Sequence, residues 1–330
     1  MKKIPICLNI DDGAPVLSVY YQHAKNRTTA DGRPLLKTFP NSFLYGFCDT
    51  VERWGLKGKL SIVPMPGNEG NLVDGLQGVD KAELEEWLQT VQTRLIGKFS
   101  FCPEMLTHYK AVDLTTGENL ELDEVAWSNL QNRDTLTPYI SCALNILKNA
   151  GFSVCGVSSP WSFGLQVEQE YVEAISQAVY DVTGKKNAWY FLHQLVGEPN
   201  AKPWVALEKE DRTVICIPET TGDCFWQTID CPRTDEAYVC TVADELITAD
   251  GKDGAIIRAL DNDSYPIIFT HWQSLISNGL QTGLRVLNEV GRRVQAHLSD
   301  RVEWTSFEQI VDSVLENKSA FAKPIIRGVL

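Results

Sequence analysis

Hydrophobic and polar positions along this chain follow two rhythms. Short apolar runs alternate with longer stretches in which apolar residues recur every three or four positions. The runs read as strands at Ile4–Ile10, Gly58–Pro64, Phe99–Leu106, Phe152–Val157, Ala188–His193, Thr213–Ile217, Pro266–Thr270 and Val302–Trp304. The amphipathic stretches read as helices at Phe43–Trp54, Asp80–Leu95, Thr135–Asn149, Val167–Val182, Thr234–Ile247, Gly283–His297 and Ser306–Glu316. Asn41 or Ser42 is placed to cap the first helix, Asp80 with Glu83 suggests a capping box at the second, and Gly151 stops the third. Strand–helix alternation of this kind predicts an α/β protein with a parallel sheet, open or closed into a barrel. One domain over residues 1–330, with loop insertions, is the simplest organisation.

Composition narrows the function classes. The 330 residues suit a (β/α) barrel with elaborated loops, and 44% hydrophobic against 22% charged residues supports a large core. The net charge is −13, and the richest basic spots are pairs such as Lys185-Lys186 and Arg292-Arg293, so no nucleic-acid-binding face is expected. No run approaches the roughly 20 apolar residues of a membrane span. The apolar segment after Met1-Lys2-Lys3 is too short for a secretory leader. A cytoplasmic protein without membrane partners is expected. Nine cysteines occur without a CxxC; Cys7, Cys102, Cys155 and Cys216 fall inside apolar runs and read as reduced core residues.

In parallel α/β sheets the working residues gather beyond the carboxyl ends of the strands. The first strand runs straight into Asp11-Asp12-Gly13. Adjacent acids repel, and a buried charge must be paired or bound to a metal, although a strand ending in a turn would also use Asp and Gly. The third strand is followed by Glu104, Thr107 and His108, the fourth by Ser158-Ser159-Pro160-Trp161, the Thr213 strand by Glu219, Asp223 and Trp226, and the late strand by His271-Trp272-Gln273. Of five histidines, His108 and His271 share the implied rim with the acid pair. His193 reads as structural, His297 as a surface residue, and His23 lies in a polar loop. Two carboxylates and two histidines on one rim suit metal-assisted hydrolysis: one acid and an imidazole hold a divalent ion, another acid takes a proton from water, and a second histidine protonates the leaving group.

These stretches together resemble the polysaccharide deacetylases, carbohydrate esterases with a distorted seven-stranded (β/α) barrel. "LNIDDGAP" is similar to the acid-acid-glycine motif of the first strand, "GLKGKLSIVP" to the second strand, "LTHYKAVD" to the histidine motif, and "PIIFTHWQS" to the strand ending in a catalytic histidine. "NAGFSVCGVSSPW" stands where that family has an arginine-proline motif, and "VEWTSFEQIVDSVLE" is similar to the terminal strand and helix. The resemblance implies Asp11 as general base, His271 as general acid, and Asp12 and His108 as ligands of a divalent metal, zinc being favoured by an imidazole–carboxylate set. The family's second histidine, four residues after the first, is replaced by Val112, so either Asp113 substitutes as a ligand or the metal site is incomplete. The family's arginine is replaced by Ser158-Ser159 ahead of Pro160.

The implied activity is hydrolysis of an amide or ester bond on a carbohydrate or glycan, with Trp161, Trp226 and Trp272, Glu219 and Asp223 as substrate-binding candidates. Two alternatives stay open at this level. One is a glycoside hydrolase on a related barrel, pairing Glu104 or Glu219 with Asp11 or Asp223. The other is a catalytically inactive carbohydrate-binding homologue.

Overall fold

The computed structural model describes residues 3–16, 28–29 and 31–324; His23 lies outside them. Seven parallel strands carry the fold: β1 (Ile4–Gly13), β2 (Gly58–Ile62), β3 (Phe99–Pro103), β4 (Gly156–Ser158), β5 (Asn187–Phe191), β6 (Arg212–Cys216) and β7 (Ile267–His271). One sheet has the order β7-β1-β2-β3; the other has β4 beside β5 and β5 beside β6. Isolated parallel bridges, Phe101 to Val154 and Glu104 to Ser158, join β3 to the β4 segment. On the other side the chain leaving β6 reaches β7, where the Thr220 amide donates to the Ile267 carbonyl at 3.2 Å. Regular ladder pairing is interrupted at both places. A short strand, β8 (Val302–Trp304), pairs with the beginning of β1.

Each strand lies where its apolar run predicts, and the principal helices follow: α1 (Asn41–Trp54), α2 (Lys81–Leu95), α3 (Arg133–Asn149), α4 (Glu168–Thr183), α5 (Glu236–Leu246), α6 (Thr282–Leu298) and α7 (Phe307–Glu316). Their apolar faces cover the strands; α6, for example, buries Leu284, Leu287, Val290, Val294 and Leu298. Caps were harder to read. Pro40 holds the N-cap of α1, and neither Asn41 nor Ser42 does. Asp80 stands at the N-cap of α2 without a side-chain bond. Ser306 and Gln309 do form a reciprocal box at α7. An antiparallel hairpin, Lys110–Val112 with Asn119–Asp123, and an antiparallel strand, Trp204–Lys209 beside β6, interrupt the simple alternation.

Two glycines allow the strands to approach. A Cβ on Gly58 would lie 1.8 Å from the Leu8 carbonyl oxygen, and one on Gly13 would lie 2.6 Å from that of Ser61. Among the described residues no helix is long and apolar enough to cross a membrane. All nine cysteines are free thiols.

Candidate active site

The site begins with an irregularity in β1. Pairing with β2 shifts register between Ile10 and Gly13, and Asp12 adopts φ 65°, in the left-handed region. In a regular strand Asp11 and Asp12 would point to opposite faces. The shift brings both carboxylates, each nearly fully buried, to the lining of one cavity of about 510 Å³ beyond the strand ends. Met105, His108 and Trp161 also have positive φ, and three of these four non-glycine backbone outliers, Asp12, His108 and Trp161, line the cavity.

Asp11 is held through one oxygen. Its Oδ1 accepts from Lys59 Nζ, from Ser61 Oγ at 3.0 Å and from Ser158 Oγ at 3.2 Å. Lys59 is fully buried and also donates to Ser158 Oγ at 2.9 Å. The single charge in the buried strand Gly58–Ile62 was the available signal: a buried ammonium requires a paired anion.

Asp12, Glu104 and His108 form the second group. Asp12 Oδ1 lies 3.0 Å from His108 Nε2, and Glu104 Oε1 lies 3.7 Å from the same nitrogen. One ligand atom from each residue falls within 4.8 Å of the others. The remaining carboxylate oxygens are anchored. Asp12 Oδ2 accepts from Gln273 Nε2, while Glu104 Oε2 accepts from the Asp12 amide at 2.7 Å and shares the single Ser61 hydroxyl proton with Asp11 Oδ1. Asp12 Oδ1 is fully buried, and the donor beside it is His108 Nε2. Three buried donor atoms, two of them carboxylate oxygens, converging in this way fit a divalent cation.

Glu124 presents His108. Its carboxylate accepts the backbone N–H groups of Leu106 at 3.1 Å, Thr107 at 2.9 Å and His108 at 2.8 Å, and the Tyr139 hydroxyl at 2.7 Å. One buried side chain thereby fixes the loop in which His108 takes φ 53°. The Trp161 ring meets the imidazole edge-on at 4.3 Å.

The ionisation pattern follows from these contacts. Burial and the neighbouring Asp11 and Asp12 push the Glu104 carboxyl up to about 8. Burial opposes a charge on His108, but Asp12 and Glu104 outweigh it and lift the imidazole to about 10. Burial would raise Asp12 as well, yet the charge and hydrogen bond of His108 bring it below the usual carboxylate range.

His271 closes the row. It is the register partner of Asp11 on β7, and its Nδ1 lies 2.7 Å from Asp223 Oδ2. Burial works against its charge, but the bond to Asp223 and the charges of Asp12, Asp223 and Asp11 lift it to about 9. The indole of Trp226 meets its ring edge-on at 4.9 Å. Trp161 and Trp226 line the cavity with 54% and 44% of their surface exposed, enough for each to be covered by a bound molecule.

Asp11, Asp12, His108, His271, Trp161 and Trp226 therefore come together, with Asp223 behind His271. Three expected site residues do not join them. Asp113 lies in the turn between the hairpin strands, where its Oδ1 accepts the amides of Thr115 at 2.7 Å and Thr116 at 3.3 Å, away from the donor cluster. The four-residue spacing to His108 is met instead on the other side, by Glu104. Trp272 is fully buried against Phe43 and Phe47, at ring distances of 4.8 and 5.1 Å, and packs in the core. Glu219 does not line the cavity; its Oε2 accepts the amides of Thr221 at 2.9 Å and Gly222 at 2.8 Å, and burial lifts its carboxyl to about 7. His193 is bonded to Glu168 at 2.7 Å, and His297, at the end of α6, contacts the Ala249 carbonyl.

No protein-family model matches the sequence, and no curated protein matches it. Solved structures do match in three dimensions. A Mycobacterium smegmatis protein provisionally assigned as a polysaccharide deacetylase superposes over 100% of this chain and 96% of its own, with a TM-score of 0.55 and 12% identity. The peptidoglycan deacetylase PdaC from Bacillus subtilis covers 96% of each chain with a TM-score of 0.42 and 10% identity. A lactam utilization protein from Thermus thermophilus covers 92% of this chain and 100% of its own, with a TM-score of 0.40 and 9% identity. At these identities the likeness concerns architecture, and it is the first of them that carries it. The chain has a polysaccharide deacetylase-like α/β fold.

Proposed function

We propose that this protein is a metal-dependent hydrolase that removes an acyl group from an amide or ester of a carbohydrate. The observation that supports it best is the convergence of Asp12 Oδ1, Glu104 Oε1 and His108 Nε2 beside Asp11 and the His271–Asp223 pair. Asp12, Glu104 and His108 would hold the cation, which when bound supplies Lewis-acid polarisation of a carbonyl and a more acidic water. Asp113 has no part in this reading.

The chain's own groups divide the proton work. Among the described residues the three donors to Asp11 all fall on Oδ1, and the residue lines the cavity, so Oδ2 is the atom left to take a proton from the attacking water. His271 is engaged through Nδ1, which leaves Nε2 to donate to the departing amine or alcohol. Its raised pKa of about 9 keeps it protonated at neutral pH, as a general acid must be. Trp161 and Trp226 offer flat apolar faces on which a sugar ring can stack.

The test is acetate release from N-acetylated and O-acetylated sugars, with and without added divalent metal, for the native protein and Asp12→Asn. Metal-stimulated release that is lost in Asp12→Asn supports the assignment. Release that is indifferent to chelation and to Asp12→Asn would refute the metal role.

A further inference from the structure

We infer that Glu104 makes this centre selective for a hard divalent cation of the manganese type, by comparison with the same centre carrying an imidazole at that position. The inference rests on the metal-dependent reading above and deepens it by naming the class of cation.

The donor set carries the argument. Asp12 and Glu104 are each tied through one oxygen, Asp12 by Gln273 and Glu104 by Ser61 and the Asp12 amide. Each offers its other oxygen to one shared point, where His108 Nε2 is the single nitrogen. Two carboxylates and one imidazole form a harder set than one carboxylate and two imidazoles, and oxygen donors suit manganese and magnesium where imidazoles suit zinc. Calcium would need six to eight oxygens, and magnesium favours oxygen ligands and near-ideal octahedral geometry, so a mixed set of three protein donors fits manganese better than either.

Charge points the same way. The two carboxylates cancel the two positive charges of the ion inside a buried cavity, where an uncompensated charge is costly. Glu104 Oε2 is held by the Asp12 amide at 2.7 Å, so the position of this anionic donor is set by the backbone of β1. Zinc outranks manganese at most nitrogen and oxygen sites, so the claim concerns the ratio of the two affinities.

The experiment is a Mn²⁺ titration followed by the six-line electron paramagnetic resonance signal of the free ion, then displacement by Zn²⁺. It is run on the full chain as native protein, Glu104→His, Glu104→Gln and His108→Ala. We expect one Mn²⁺ site in the native protein, lost in His108→Ala. The zinc-over-manganese ratio should rise by about tenfold or more in Glu104→His, the scale on which changes around a metal move its affinity. Glu104→Gln, which keeps the shape and removes the charge, should weaken Mn²⁺ more than Zn²⁺. If Mn²⁺ binds and His108→Ala abolishes it, but neither Glu104 variant moves the ratio, the selectivity inference is wrong and the metal reading stands. If neither ion binds the native protein, the metal reading fails and takes the inference with it.

Discussion

Lys59 and Asp11 form a buried ion pair across neighbouring strands, and Ser158 Oγ is bonded to both. Ser158 belongs to the segment where the resemblance expects an arginine. The cation beside the first acid is supplied instead from β2.

Removing that cation should be costly. Lys59→Met leaves Asp11 buried without its charge partner, and breaking such a pair costs about 3–5 kcal/mol. Urea unfolding of Lys59→Met should show a loss on this scale, and adding Asp11→Asn should recover part of it. A loss below about 1 kcal/mol would mean that the pair does not hold Asp11.

The His271–Asp223 pair sets a pH window. The pKa of His271 in the folded protein, about 9, lies above the 6.5 of an unperturbed imidazole. Its contribution to stability is therefore fully present below pH 6.5 and is lost as pH rises through 9. NMR titration of the His271 ring should give a midpoint near 9 in the native protein and a lower one in Asp223→Asn. Equal midpoints in the two proteins would contradict the pairing.

Metal binding should release protons. Without a cation, Glu104 and His108 titrate at about 8 and 10, so both carry a proton at pH 7 that a cation must displace. Apparent affinity should fall as pH drops below 10, and more steeply below 8. Calorimetry in buffers of different ionisation enthalpy should report about two protons released per ion at pH 7. Release of none would show that these residues are not the ligands.

Glu124 should matter without touching the metal. Its four donors include the His108 amide, and a glutamine there would turn an NH₂ toward a backbone N–H. Glu124→Gln should lower metal affinity by roughly 10–100-fold, as losses of orienting partners do. Native affinity in a folded Glu124→Gln protein would assign the clamp to stability alone.

Much of this was legible in the chain. Apolar runs located every parallel strand, because a strand covered on both faces is written as a continuous hydrophobic stretch. Asp11, Asp12, His108 and His271 were legible because polar groups at strand ends stand out against those runs. Glu104 was visible as a strand-end acid, but its partnership with His108 depends on two backbone conformations, at Met105 and His108, that residue type does not announce. Trp272 misled because a tryptophan after a catalytic-looking histidine reads as a substrate platform, whereas the helix Trp272–Ile276 turns it into the core. Asp113 stands just beyond the position four residues after His108, whereas the acid that faces the imidazole lies four residues before it, at Glu104.

The measurement that bears most directly on the central claim is the metal content of the purified protein by mass spectrometry, after loading with a divalent cation and dialysis, beside Asp12→Asn, Glu104→Gln and His108→Ala. The account predicts about one ion per chain in the native protein, loss of that ion in Asp12→Asn and His108→Ala, and reduced retention in Glu104→Gln. No retained ion in the native protein, or equal retention in all four, would contradict it.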